Sequence, residues 1–291
     1  MPDGCESLHS GRRALWIIRD RDGLHVIHSP RCFHSYAGAY RRLGLPCNNA
    51  GTRKINDLIQ KGGYGMTGAG VEKDLCRREV VVFDWDGTVA DSVAQVVQAI
   101  RKTAESLGLT PPSAETIRPL VGLGLGEMLQ QFVPDFPAER HAEFLDTYRR
   151  HYFGNRQRVD IPFAGIPELL RALRAQGRRL AVATGKSRAG LDRVLAGGEL
   201  GAFFEATRCA EEGASKPDPW MLQSLAEEME VSPTQMVMVG DSIYDIEMAR
   251  AFGCASIGVY YDTGTPLMLQ SSEPDAMAAT VVELGRLLGC A

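Results

Sequence analysis

Hydrophobic and polar positions change pattern near residue 80. From Val80 onward, short runs of apolar, often β-branched residues alternate with stretches in which apolar positions recur every three or four residues. Continuous apolar runs read as strands buried on both faces, and the three-four spacing reads as amphipathic helix. The alternation predicts an α/β fold: a parallel sheet with helices on both faces. Strands are expected over 80–83, 180–184, 204–208, 236–240 and 255–259. Helices are expected over 167–176, 188–195, 219–229, 243–252 and 281–288, with Gly177 and Gly253 as stop signals.

Roughly a hundred residues separate the first two predicted strands, far more than one crossover helix needs, so the interval must contain an inserted unit. Its pattern is helical. Val93, Val97, Ile100, Ala104 and Leu107 share one helical face, and 138–153 carries a similar stripe through His141, Phe144, Leu145 and Tyr148. The expected division is an α/β core over 76–97 and 161–291 with a helical cap over 98–160. Phe163, Ala164 and Gly165, where the cap returns to the core, form a plausible hinge. The stretch Gly122-Leu123-Gly124-Leu125-Gly126 is too glycine-rich for a helix interior and reads as a cap loop. A phosphate-binding loop would need a preceding strand and a following lysine, which it lacks.

Residues 1–75 show no sustained periodicity and are expected to be a poorly patterned extension. The best element is a hairpin pairing 15–18 with 24–27 around Asp22-Gly23. His25, His28, Cys32, His34 and Cys47 are metal-capable residue types, but their spacings match no zinc-finger pattern. Lys61-Gly62-Gly63 can be encoded by a stretch containing AAGGAGG, a bacterial ribosome-binding sequence, and Met66 follows at a suitable interval. The expectation is therefore that Met66 is the start and that 1–65 are translated upstream sequence.

Composition narrows the function class. The chain has 291 residues, 44% apolar and 23% charged, within the globular range. Charge is divided unevenly: +4 over residues 1–75 and −8 over the remainder, from a formal total of −4. An acidic main domain argues against a nucleic-acid surface. The sequence has neither an apolar run of membrane-spanning length nor a signal-peptide pattern, so neither a membrane nor secretion is expected, and the location read from it is cytoplasmic. The seven cysteines are odd in number and irregularly spaced, which favours reduced thiols. Oligomeric state is not legible.

The chemistry concentrates where predicted strands end. Asp84 and Asp86 follow the first strand two positions apart, and close carboxylates need a cation or a shared proton. Thr184 ends the second strand, and with Gly185 it offers a hydroxyl and an N–H at a helix start, where an anion is favoured. Lys216 sits in Ser215-Lys216-Pro217-Asp218-Pro219, a stiffened turn able to hold a fixed positive charge. Gly240-Asp241-Ser242-Ile243-Tyr244-Asp245 adds two acids after the fourth strand. Ser242 could equally be a helix N-cap. Polar groups at the carboxyl ends of parallel strands converge in one crevice. Hard carboxylate and carbonyl oxygens at this density suit magnesium bound together with substrate phosphate.

DWDGT at Asp84 to Thr88, Thr184, Lys216 and GDSxxD at Gly240 to Asp245 resemble, in this order, the four motifs of the haloacid dehalogenase-like hydrolases. The resemblance covers roughly residues 78–289 and implies a Rossmann-like core with an inserted α-helical cap. DGTVADS, ATGKSRAGLDRVL and SKPDP look like its phosphoglycolate phosphatase-like branch, and ATGKSRAGLDRVL resembles members found beside ribosomal pseudouridine synthase genes. The resemblance implies a magnesium-dependent phosphatase acting on a small phosphorylated metabolite through an aspartyl-phosphate. Asp84 would be the nucleophile and Asp86 the acid/base. Thr184 and the Gly185 N–H would hold phosphoryl oxygens, and Lys216 would offset charge. Magnesium would sit among Asp84, the Asp86 carbonyl and Asp241, with Asp245 and Ser242 behind them. Dehalogenase members do not need the second acid, because a halide leaves without a proton; this sequence keeps it. A sugar phosphomutase uses the same residues and is the alternative, and a non-catalytic binding protein is a more distant one. Arg188 and Arg118 are candidate contacts for a substrate carboxylate. Trp85, between the two acids, is expected to pack beside the site.

Overall fold

The computed structural model describes residues 15–20, 23–28, 75–154, 160–261 and 266–290. Two compact units divide at Met66–Thr67. In the first, β1 (Leu15–Asp20) and β2 (Gly23–His28) form an antiparallel hairpin in the expected place, with Asp20 opposite Gly23. Gly23 therefore lies in the ladder rather than in the turn. The proposed start at Met66 and the residues Cys32, His34 and Cys47 lie outside the described residues.

The second unit is built on a six-stranded, all-parallel sheet in the order β5-β4-β3-β6-β7-β8. The strands are β3 (Val80–Phe83), β4 (Arg179–Thr184), β5 (Ala206–Cys209), β6 (Met236–Gly240), β7 (Ala255–Val259) and β8 (Ala276–Ala278). Successive side chains of a strand point to opposite faces, and β3 divides accordingly. Val81 and Phe83 pack with Leu170 and Leu173 of α5 (Ile166–Ala175), Leu191 and Val194 of α6 (Arg188–Ala196), and Leu284 of α10 (Val281–Leu287). Val80 and Val82 pack with Leu222 and Leu225 of α7 (Trp220–Glu228) and Met248 of α8 (Ile243–Phe252). All four β3 side chains are fully buried, which is why the run lacks the alternation of a half-exposed strand.

The chain moves outward from β3 through β4 to β5, then returns to place β6 on the other side of β3. The crevice at this reversal lies beyond the carboxyl ends of β3 and β6, where α/β sheets bind ligands.

Between β3 and β4, α1 (Val93–Ser106), α2 (Ala114–Ile117), α3 (Leu125–Phe132) and α4 (His141–Phe153) form a helical cap with its own apolar core, including Val97, Ile100, Ile117, Leu129 and Phe144. The expected boundary at 97/98 falls inside α1, which is continuous from Val93. The core and the cap are joined by two segments that bond to each other: Asp91 N donates to Ile161 O at 2.9 Å and Phe163 N to Val89 O at 3.0 Å.

Other details also differ from the sequence reading. The strand expected over 204–208 is Ala206–Cys209, because the Phe204 ring packs edge-on against Phe83 and Trp85 before the chain enters the ladder. Only Gly122 to Gly124 of the glycine-rich stretch form a loop. Leu125 and Gly126 begin α3, where the Glu127 carboxylate accepts from Gly124 N at 2.8 Å and steadies the first turn. Strand β8 and the short α9 (Pro266–Ser271) had no recognisable pattern at their length. Among the described residues no helix is long and apolar enough to cross a membrane.

Candidate active site

Asp84 is the first residue after β3, and its N–H donates to Val239 O at 2.9 Å, so the ladder with β6 holds it at the crevice. Its Oδ1 accepts from Lys216 Nζ at 2.6 Å. Its Oδ2 is buried without a hydrogen-bond partner. Lys216 Nζ also lies 2.6 Å from Asp245 Oδ1, with both side chains fully buried. Asp245 Oδ2 accepts from Ser242 N at 3.1 Å and from Ser242 Oγ at 2.6 Å, while Ser242 Oγ caps α8 by accepting from Asp245 N. Ser242 is thus both an N-cap and a brace for Asp245. Asp245 Oδ2 is held by Ser242, while Oδ1 has the Lys216 ion pair but no hydrogen-bond partner.

Asp241 follows β6 and accepts from Thr88 Oγ1 at 3.2 Å. Carboxylate oxygens of Asp84, Asp241 and Asp245 lie within 4.8 Å of one another. Gly87 makes room for this approach: its φ is +87°, and a Cβ there would stand 2.2 Å from Asp241 Oδ2. Lys216 pairs with two of these three carboxylates, Asp84 and Asp245. Burial pushes the Asp84 carboxyl up to about 7; Lys216 lowers it, and Asp245 and Asp86 add to the rise. Burial likewise holds Asp241 well above the usual carboxylate range, reinforced by Asp84 and Asp245. Burial alone would depress the Lys216 ammonium, but Asp245 and Asp84 more than reverse this and hold it raised. An excess of buried negative oxygen, with the orphaned Oδ2 of Asp84 among them, is a donor set that fits a hard divalent cation.

A second polar cluster, which the sequence did not reveal, surrounds Asp86. Lys186 Nζ lies 2.9 Å from Asp86 Oδ1 and 3.0 Å from Asp160 Oδ2. It also donates to Tyr152 OH at 3.0 Å. Tyr152 OH donates to Asp160 Oδ1 at 2.8 Å, and Trp85 Nε1 to Asp160 Oδ2 at 2.9 Å. Ser92 Oγ donates to Asp86 Oδ1. Burial would lower the Lys186 ammonium, but Asp86 and Asp160 outweigh it and hold it raised. Burial, Asp86 and Asp160 together raise the Tyr152 hydroxyl. The available signal was Lys186 itself, two residues past Thr184. Asp160 and Tyr152 are distant in sequence, and only folding brings them to it.

Thr184 is buried at the end of β4, where its Oγ1 accepts from Lys186 N at 3.2 Å. Asp84, Asp86, Gly185 and Lys186 line one cavity of about 420 Å³, roofed from the cap by residues including Leu123, Met128, Leu145, Tyr148 and Arg149. A Cβ at Gly185 would stand 2.3 Å from Leu123 O, so here the cap loop rests against the core. Trp85 is buried, as expected, with its ring against Phe204. The two arginines suggested for a substrate carboxylate do not line the cavity. Arg188 is held at 2.9 Å by Glu212 and at 3.1 Å by Asp192, and Arg118 is exposed outside it. Arg149 is the guanidinium that does, paired with Asp146 at 2.8 Å.

Sequence comparison finds similarity to a phosphoglycolate phosphatase of Vibrio vulnificus, 29% identical over 214 residues, 71% of this chain and 94% of that protein. The phosphoglycolate phosphatase of Neisseria meningitidis is 29% identical over 215 residues, 71% of this chain and 92% of its own length. Among solved structures, a predicted phosphoglycolate phosphatase from Haemophilus somnus superposes with a TM-score of 0.61 at 25% identity, over 72% of this chain and 98% of that one. A hydrolase from Pseudomonas syringae shares the fold with a TM-score of 0.65 at 21% identity, over 71% of this chain and 96% of that one. The family model for haloacid dehalogenase-like hydrolases matches residues 81–259, from within β3 to the end of β7, and so includes the carboxylates, the lysines and the cap; the chain belongs to that family.

Proposed function

We propose that this chain is a magnesium-dependent phosphatase that hydrolyses a small phosphorylated metabolite, with 2-phosphoglycolate the first compound to test. The observation that carries the reading is Asp84 Oδ2, buried and without a partner at the crevice while Lys216 engages Oδ1. An oxygen without a hydrogen-bond partner is open to a cation or, in this reading, to phosphorus. The names of relatives 29% identical support the substrate suggested.

In this reading Asp84 attacks phosphorus and forms an aspartyl-phosphate as the bond to the leaving oxygen breaks. Asp86 protonates that oxygen, then takes a proton from the water that cleaves the intermediate. Thr184 and the Gly185 N–H hold phosphoryl oxygens. Lys216, fixed by Asp245, offsets charge on Asp84. The Asp84 and Asp241 carboxylates and the Asp86 carbonyl would hold the metal, with Ser242 and Asp245 supporting them. Magnesium would supply charge neutralisation to the phosphoryl group. The helices over the cavity act as a cap that excludes bulk water.

Phosphate release from a metabolite panel, with and without a chelator, tests this. Magnesium-dependent release is expected. Isomerised sugar phosphate with little free phosphate would instead identify a phosphomutase, and no turnover of any member would refute the proposal.

A further inference from the structure

We propose that Lys186 is a positioning residue that selects which oxygen of Asp86 moves the proton, an inference resting on the acid/base role proposed above. Asp86 lines the cavity, and its Oδ1 is engaged twice, by Lys186 Nζ at 2.9 Å and by Ser92 Oγ. Its Oδ2 carries none of the described hydrogen bonds. A carboxyl held by one oxygen presents the other, and a fixed rotamer costs no reorganisation when the proton moves.

Lys186 is itself fixed from three sides. Asp160 Oδ2 lies 3.0 Å from Nζ, Tyr152 OH accepts from it at 3.0 Å, and the Tyr152 ring centroid is 4.7 Å away. Asp160 is in turn fastened by Trp85 Nε1 and Tyr152 OH, so it cannot swing to follow the ammonium. Tyr152 belongs to α4 of the cap, Ser92 precedes α1, and Asp86 and Lys186 belong to the core. The ammonium therefore joins cap and core at the proposed proton carrier.

An Asp84 oxygen bonds to phosphorus while the P–O bond to the leaving group breaks, and its electron pair goes to the leaving oxygen, which takes the proton from Asp86 Oδ2. In the second half, water bonds to phosphorus and gives its proton to the same Oδ2, and Asp84 is released. The net change is ester plus water to alcohol plus phosphate. Lys186 gains and loses nothing.

Leaving-group dependence tests this. A leaving group that is already a weak base, such as p-nitrophenolate, needs no proton, whereas phenolate does, and the two esters are nearly the same size. In Lys186→Met, kcat/KM for phenyl phosphate is expected to fall about 100-fold and that for p-nitrophenyl phosphate less than about 5-fold, the former matching the worth of general acid catalysis. The double variant Lys186→Met with Asp160→Asn removes one charge of each sign, guards against misfolding, and should show the same split. Equal losses for both esters, or no loss, in whichever variant folds would overturn the role of Lys186 while leaving the phosphatase reading intact. A wild-type protein that releases phosphate from neither these esters nor any metabolite of the panel would overturn both.

Discussion

Lys216 Nζ stands 2.6 Å from Asp84 Oδ1 and 2.6 Å from Asp245 Oδ1, with the ammonium fully buried between two carboxylates more than twenty-five residues from it on either side of the chain. Breaking a buried pair by removing one member leaves an uncompensated charge and costs about 3–5 kcal/mol. Lys216→Met is therefore expected to lower stability by about that amount as well as activity, read by chemical denaturation. A loss under about 1 kcal/mol would mean that water already screens the pair.

Asp84→Asn should retain the fold and lose turnover. The amide keeps the shape of the side chain but cannot form an acyl phosphate, so kcat should fall at least about 10⁴-fold, with no phosphoenzyme detected by acid quench. Retained activity in a preparation free of deamidated protein would reassign the nucleophile.

The raised carboxyls give a signed pH dependence. Asp84, ordinarily near 3.8, titrates at about 7 in the folded chain, so between those values the folded state binds more protons than the unfolded. Its contribution to stability is complete below the lower value and is lost as pH rises through the upper. Asp241 acts in the same direction. A cation bound by these groups favours their ionised forms, so the rise in Tm given by saturating magnesium should be larger at about pH 8 than at about pH 5. Equal increments at both would contradict a metal held by these carboxylates.

Gly87→Ala should weaken that binding directly. The left-handed φ of +87° disfavours any side chain, and the added methyl carbon would overlap Asp241. The strain is on the order of 1–2 kcal/mol, and displacement of Asp241 adds to it. Calorimetric titration with magnesium should show affinity reduced about 10-fold or more, and an unchanged affinity would separate Asp241 from the metal.

Arg178 offers a stability test away from the chemistry. Its guanidinium is buried and donates to Cys76 O at 2.8 Å, Leu288 O at 3.3 Å and Leu75 O at 3.3 Å. It ties the entry into β3 to the end of α10. Arg178→Met would leave these carbonyls short of donors and should cost about 2–3 kcal/mol in denaturant unfolding, with kcat unaffected.

The strands around the site and the meeting of Asp84 with Asp241 follow from features visible in one dimension, whereas the order of the strands does not. Apolar runs buried on both faces mark β3, β4, β6 and β7, and polar residues directly after them must sit at strand ends. Ser242 and Asp245 were legible for the same reason, since a cap and the third residue of a helix are local positions. Strand β5 was placed two residues early because Phe204 is apolar yet serves aromatic packing rather than the ladder, and β8 has only three residues to show a pattern. The cluster at Lys186 lay beyond reach. A lysine after a strand reads as a helix start with a solvated tail, and nothing local says that a cap tyrosine and Asp160 will enclose it. Burial converts such a residue from a surface charge into a fixed one, and burial of this kind is created by long-range packing. The sequence by itself determined where the carboxylates stand on the sheet; the tertiary structure decided which oxygen of each is left free.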